Sequence, residues 1–479
     1  MDNFALNRTI PNGSELEPVM DFSAFRFQFT QPIDRATASY GDGNSVVLRD
    51  SEGAEVEAGL LVDGAYMTVD PTDDYLTPGE TYTLELSGGL MSTYGVPFAG
   101  DTIEFTPKDS SPRGEPGFLV QKITQGGTSR LTGKSINQVP VNGVLLGEDA
   151  NVTQAQSDFV IAELADVTQY TDVTPIRLPK GTVLNGAAIS PILIGGEVPA
   201  GFGSGDVTMT VLSDASGYLV PNPYAGNNPD ALRIVHLLMD VGIAASEARA
   251  NGAFTQDLLH IELVGLAEVD PTAGVLNLDA VSVVEPNILG QEYGYGMLSF
   301  QLQSYKNQNS PPQIAEDIIA PTLQSWMPGD NADLQQPGDP IVLNFSEPLN
   351  PESIKGKVSL WENGSEKDIS SHVDGGALVI KPLEALRNSR QGQVIEYELQ
   401  LAPGITDLAG NQWNESFTGQ FHLPEIVDEK RIYNGFSGPA AAGQPVDVAR
   451  SPFVLAVCPG YPCLLDTDSW NLAEDDAGR

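Results

Sequence analysis

Cysteine is nearly absent from this chain of 479 residues, and the two that occur, Cys458 and Cys463, lie five positions apart in CPGYPC. No second pair and no nearby histidine completes a zinc set, so a structural zinc site built on them is excluded. In an oxidising compartment the two form a disulfide; in a reducing one they stay as thiols. A loop this short gains only about 2 kcal/mol from closure on the chain-entropy argument, so the bond would pin a local turn and not hold up the fold. Positive charge is the second deficit: 24 basic residues stand against 64 acidic ones, a net charge of −40. Such a surface repels phosphates and anionic headgroups, which argues against nucleic acid as a partner. The plain consequence is a solvated surface of the kind exported or salt-adapted proteins carry. The sharper one is calcium held by loop carboxylates. Long apolar runs are missing too, since none reaches the roughly 20 residues a membrane helix needs, and no membrane insertion of this chain is expected. Met1 to Ser14 lack the basic start and apolar centre of a signal peptide. The expectation is a protein that is extracellular or on the cell surface, exported or anchored through a segment not in this sequence, with further chain after EDDAGR.

What the chain does contain is turn formers and short alternations. With 49 glycines and 35 prolines spread throughout, many turns are favoured over long helices. At Phe25 the sequence reads F-R-F-Q-F, which puts Phe25, Phe27 and Phe29 on one strand face and Arg26 and Gln28 on the other. That is the pattern of a half-buried strand, and Pro32 ends it. Further short strands follow at YMTV, Tyr82 to Leu86 and IEF, separated by the turn signals TPGET and SGG. The spacing is that of a β-sandwich.

The phrase FTQPIDRAT from Phe29 has a counterpart, FSEPLNPES, from Phe345. Pro11 and Pro328 are 317 apart, Phe29 and Phe345 316, Tyr82 and Tyr397 315, and Phe105 and Phe421 316. The stretch to Glu425 therefore repeats the first hundred residues, with insertions confined to loops. FSEPLNPESI, LVIKP, YELQL, PGITDLAGN and the closing GQFHL resemble the SbsA-type bacterial Ig-like domain found in tandem on bacterial surface proteins. FTQPIDRAT, MTVDP, YTLEL and SGGLMSTYGVP take the same places in the first copy, where Ser92, Thr93 and Tyr94 replace the DLA of TDLAGN. The resemblance implies an Ig-like sandwich and a spacer or adhesive role, and it brings no catalytic residue with it. In TDLAGN the plain reading of Asp407, Gly410 and Asn411 is a tight turn, because Asp bonds nearby backbone while Gly and Asn accept positive φ. The alternative is Asp407 as a calcium ligand.

The resulting expectation is an all-β, multi-domain chain: an Ig-like sandwich over 1–107, a larger β-rich domain over 117–306, a linker over 307–319, a second Ig-like sandwich over 320–425 and a tail over 426–479. The middle domain is expected to be a larger β-sandwich, with a jelly roll as one form. The segment from Ser213 to Asp230 is read as a loop crossing its surface, and Gly242 to Phe254 as one short helix.

No stretch of the chain matches a catalytic or cofactor motif. GGTSRLTGKS encloses five residues between Gly127 and Gly133 where a phosphate loop needs four, and GFGSGD is no nucleophile elbow. His236, His260, His372 and His422 show no metalloprotease spacing, and satisfied strand histidines are the plain reading for the first two. DTDSWNLAEDD opens like a calcium loop but lacks its Gly and Glu. Tyr218 and Tyr224 in YLVPNPY, with Tyr293 and Tyr295 in EYGYG, form a sugar-stacking platform if they share one exposed face; packing within turns is the plainer reading. The expected function is a non-enzymatic surface protein, adhesive, structural or spacer, with an unknown surface partner or glycan. The alternative is a carbohydrate-binding or carbohydrate-active protein with its site in the middle domain.

Overall fold

The computed structural model describes residues 3–425 apart from 72–74, 112–116, 122–127, 130, 132, 134–137, 143–150, 154–159, 189–192, 195–197, 200–202, 227–231, 246–254, 271–274, 289–291, 313–316, 330–334 and 391–392. Cys458, Cys463, the acidic tail and most of GGTSRLTGKS lie outside the described residues. Among the described residues regular structure is all strand, apart from two 3-10 turns at Arg35–Thr37 and Pro351–Ile354.

In the first module Phe25–Phe29 pairs with Leu6–Ile10 on one side and Tyr66–Pro71 on the other, and Ala58–Asp63 completes a four-stranded sheet. Val46–Arg49, Tyr82–Leu86 and Asp101–Phe105 form the facing sheet. As the alternation predicts, Phe25, Phe27 and Phe29 point into the space between, where they meet Leu84, Leu86 and Phe105. Burying three such rings contributes about 5–9 kcal/mol before entropy is counted.

The second module repeats the plan. Leu323–Met327, Ile341–Phe345, Ala377–Pro382 and Ile369–Asp374 make one sheet; Ser365–Lys367, Val358–Glu362, Tyr397–Leu401 and Phe417–Phe421 make the other. Even the irregularities coincide: the leading strand shifts register between Leu6 and Arg8, and again between Leu323 and Ser325. Tyr82 stacks on Phe105 at 5.7 Å, and Tyr397 on Phe421 at 5.3 Å.

The middle domain is not a sandwich. Phe118–Gln121, Tyr295–Ser304, Val275–Val284, Gln256–Asp270, Arg233–Ala245, Ala215–Val220, Thr174–Leu178 and Ile161–Leu164 pair in that order, all antiparallel, and the last pairs with the first. Eight strands thus close into a barrel. Strands of 13 and 15 residues, Arg233–Ala245 and Gln256–Asp270, twist enough to curl the sheet on itself, and closure removes edges that would otherwise stay unpaired. Eight is also the strand number at which side chains fill the interior. Val235, Leu237, Met239, Ile261, Leu263, Leu278, Ala280 and Phe300 belong to that one apolar core.

Two local expectations change with it. Ala215–Val220 is a buried barrel strand and not a surface loop, and its one small polar residue, Ser216, is satisfied by Arg26, as described below. Gly242 to Ala245 complete a strand in place of a helix, and 246–254 lie outside the described residues. The expected linker begins with a staple: the Gln308 side chain accepts from the N–H groups of Gly117 and Phe118 and donates to the carbonyls of Phe118 and Tyr305.

These three modules belong to one compact unit. The described residues of Asp333–Pro337, Leu386–Glu396 and His422–Arg479 form a second. Within it the Leu386 N–H donates to Pro337 O, and the Asn388 amide donates to Pro424 O.

Candidate functional site

The four-stranded sheet of the first module is covered on both faces, which the pattern of a half-buried strand did not foresee. Arg26 points away from its phenylalanine neighbours into the barrel wall and is 0% exposed. Its Nε donates to Asp240 Oδ2 at 3.1 Å, Nη1 to Ser216 Oγ at 3.3 Å, and Nη2 to Ser213 Oγ at 2.9 Å and Asp214 O at 3.0 Å. Ser213 Oγ donates in turn to Asp240 Oδ2 at 2.6 Å.

The acceptor is shaped by a bulge. Met239 faces Ile261 and Val241 faces Leu258, so Leu259 and His260 together oppose the single residue Asp240. His260 takes φ +57°, an uncommon conformation for a residue with a side chain, and aims its N–H at Asp240 Oδ1, 2.8 Å away. Its ring reaches back to the first module, with Nε2 3.1 Å from Met67 O and 3.2 Å from Thr68 Oγ1. Burial pushes the His260 imidazole down to about 4 despite Asp240 beside it, so it is neutral and donates to the Met67 carbonyl. Burial alone would raise the Asp240 carboxyl; the Arg26 guanidinium, His260 and the Ser213 hydroxyl outweigh it and hold it below the ordinary carboxylate value.

A second layer adjoins the first. Arg177 Nε donates to Asp214 Oδ2 at 2.7 Å, its guanidinium lies 5.0 Å from the centre of the Tyr75 ring, and the Lys180 N–H donates to Asp214 Oδ1 at 2.9 Å. Burial, and then the neighbouring Asp214 carboxylate, push Asp70 up to about 7.

At the edge strand Ala58–Asp63 of the same sheet a cleft of about 400 Å³ opens between the first module, the barrel and the second module. Asp34 and Arg35 line it from one side, Pro351 and Glu352 from the other, with Asp257 and His372 between. Both copies of the repeated phrase therefore run their 3-10 turns into one junction.

Asp317, Glu347 and Asp407 each bring a carboxylate oxygen within 4.8 Å of the others. The TDLAGN turn folds as expected: Asp407 Oδ1 accepts from the N–H groups of Ala409 and Asn411, both at 2.8 Å, and Gly410 takes φ +90°. The Asn411 side chain links Asp407 Oδ2 to the Asp317 carbonyl. Burial, Asp317 and Asp407 push Glu347 up to about 7. Ile33 bridges Ser92 in the first module as Leu349 bridges Asp407 in the second, and Gln31 stands where Glu347 does, so this turn also forms without the carboxylates.

The four tyrosines are not brought together. Tyr218 is 3% exposed, and its hydroxyl donates to Pro18 O at 2.6 Å; it packs the first module against the barrel and cannot stack on a ligand. Tyr224 is 93% exposed, Tyr293 77% and Tyr295 55%. Following the antiparallel strands, Tyr224 leaves the barrel where Ala215–Val220 ends, whereas Tyr293 and Tyr295 stand where Tyr295–Ser304 begins, at the opposite end. His236 bonds the Glu262 carboxylate, so both strand histidines have partners within the sheet and its neighbour. Arg26, Asp240, Asp257, Asp374 and Glu347 were not singled out from the sequence. One signal was available: Asp240 is a carboxylate inside the apolar run ALRIVHLLMDV.

The protein named Alkane uptake protein B, from Marinobacter nauticus, is 36% identical over 505 aligned positions, which take in 98% of this chain and 45% of that protein. The chain thus spans less than half the length of that relative. Among solved structures, the N-terminal part of the bacterial S-layer protein SbsC is 16% identical with a TM-score of 0.20, covering 41% of this chain and 43% of that one. A longer S-layer protein rSbsC structure is 11% identical with a TM-score of 0.21, covering 99% and 59%. Both structural likenesses are too weak to bear on fold or role. Residues 5–107 and 317–422 match the family described as bacterial Ig-like domain. The chain is thus a multi-domain β protein with two bacterial Ig-like domains, one before and one after a closed antiparallel barrel.

Proposed function

We propose that this is a non-catalytic cell-surface protein that serves as a rigid structural part of hydrocarbon uptake. The observation that carries the reading is the collinear likeness of 98% of the chain to a protein named for alkane uptake. The architecture supports a structural part: Arg26 and Asp240, both 0% exposed, tie one sandwich to the barrel wall, so those two modules are not beads on a flexible string. The barrel keeps its apolar side chains inside, the reverse of a transmembrane barrel, whose apolar band faces outward. Deleting the gene in the organism that makes the protein should slow growth on hexadecane and leave growth on acetate unchanged, and intact cells should bind an antibody against the first module. Equal growth on both carbon sources, or antibody binding only after lysis, overturns the reading.

A second reading, a stalk stiffened by calcium, is favoured by the meeting of Asp317, Glu347 and Asp407 where the chain enters the second Ig-like domain. Chelator should then lower the melting temperature and added calcium restore it. An unmoved transition ends it. For a glycan site only Tyr293 and Tyr295 stand exposed at the same end of the barrel, and a glycan array with both changed to alanine tests it.

A further inference from the structure

Asp257 stands at the start of barrel strand Gln256–Asp270, and Asp374 at the end of Ile369–Asp374 in the second Ig-like domain. Each accepts from the other's side of the junction: the Asp257 N–H donates to Asp374 Oδ1, and the Gly375 N–H donates to Asp257 Oδ1 at 2.6 Å. The backbones are in contact here. Gly375 has φ +59°, and a Cβ on it would lie 2.7 Å from Ile243 O; a Cβ on Gly242 would lie 3.1 Å from Gly375 Cα. The hairpin tip is seated in the barrel rim with no space to spare, and it seats two carboxylates beside each other.

The surrounding charges do not neutralise the pair. From the first Ig-like domain come Asp34, Arg35 and Asp63, with Arg35 bound to Asp63 at 2.6 Å. From the second come Glu352 and Lys355, bound to each other at 2.5 Å, and His372. Burial and then Arg35 hold the His372 imidazole down to about 4, so it carries no charge near neutral pH. Arg35 is the cation that acts on both Asp257 and Asp374, and Asp63 opposes it at both.

We propose that Asp257 and Asp374 are a proton-sharing latch that seats the second Ig-like domain on the barrel, closed while the pair holds a proton and loosened when both carboxyls ionise. Two carboxylates this close in a half-buried place do not both ionise without repulsion, and the first proton lost belongs to the pair. Burial raises Asp374 to about 6, and burial with Asp374 raises Asp257 well above the ordinary value. A raised acid binds its proton more tightly when docked than when free. Docking is therefore strongest below the free-carboxyl pKa of about 3.9 and weakens as pH rises through about 6 and beyond.

Native-state hydrogen exchange on the full chain reads the latch, because the N–H groups of Asp257 and Gly375 are its donors. After correction for intrinsic amide exchange, protection around Asp257 and Gly375 should fall about tenfold from about pH 5.5 to about pH 8.5. Protection in Tyr397–Leu401, away from the latch, should not fall with it. Asp374→Asn keeps an acceptor for the Asp257 N–H and cannot ionise, so its protection at Asp257 and Gly375 should be flat over that range. If Asp374→Asn fails to fold, Asp257→Asn takes its place with the same expectation. Equal protection at both pH values in the native protein, or an undiminished fall in the variant, overturns the latch.

Discussion

Arg26 by itself makes four of the hydrogen bonds that join the first domain to the barrel. Removing one partner of a fully buried ion pair leaves the other charge without compensation, so Arg26→Ala should cost about 3–5 kcal/mol in urea unfolding. Adding Asp240→Asn to that variant should recover part of the loss, since the stranded charge goes with it. A loss under about 1 kcal/mol would mean that water reaches Asp240. Glu347 works in the opposite sense. Its folded pKa is raised to about 7 by burial and by Asp317 and Asp407, so the site favours the folded state below the free-carboxyl range and loses that contribution as pH rises through about 7. In chelator, Glu347→Gln should melt higher than the native protein at about pH 8 and at the same temperature at about pH 4. The reverse order at pH 8 would show that the ionised cluster is stabilised by something other than the protein.

At the level of elements, the barrel wall depends on glycines that no turn explains. A Cβ on Gly217 would lie 2.1 Å from His236 O, and one on Gly265 would lie 2.0 Å from Asp279 O. Both obstacles are backbone of the neighbouring strand and cannot rotate away. Gly265→Ala should therefore cost about 3 kcal/mol, whereas Gly338→Ala, with open space and no positive φ, should change stability by less than about 0.5 kcal/mol. Similar urea midpoints for the two variants would mean that the strands spread to admit a methyl group. The repeated phrase also takes on a new role here. Its phenylalanine and proline shape each sandwich as read from the sequence, but its polar residues, Asp34, Arg35 and Glu352, line the junction cleft.

Across the whole molecule, the two module joints add to the Glu347 site in setting the pH response. Asp70 at one and Asp374 at the other are raised by burial, to about 7 and about 6, so both joints lose stability as pH rises through those values. Asp240 is held low, so its contribution is present above the free-carboxyl range and is lost as pH falls through its depressed folded value. The melting temperature should therefore peak in mildly acidic solution and fall between about pH 6 and pH 9, with Asp70→Asn flattening the alkaline side. A maximum above pH 8 would contradict the assignment of protons to these joints.

Residue order by itself determined the class of fold, the two sandwiches and their repeat, since alternation, turn residues and a duplicated phrase are local and survive in one dimension. It also carried the TDLAGN turn, because Asp407 bonds to neighbours two and four residues away. Only the tertiary structure decided that the middle strands close into a barrel, since period-two alternation marks one buried face without saying what covers it. Burial of Arg26, Ser213 and Ser216 was hidden for the same reason. These polar residues satisfy one another across some 190 positions of sequence, and a side chain's polarity tells where it lies only once its partner is in place.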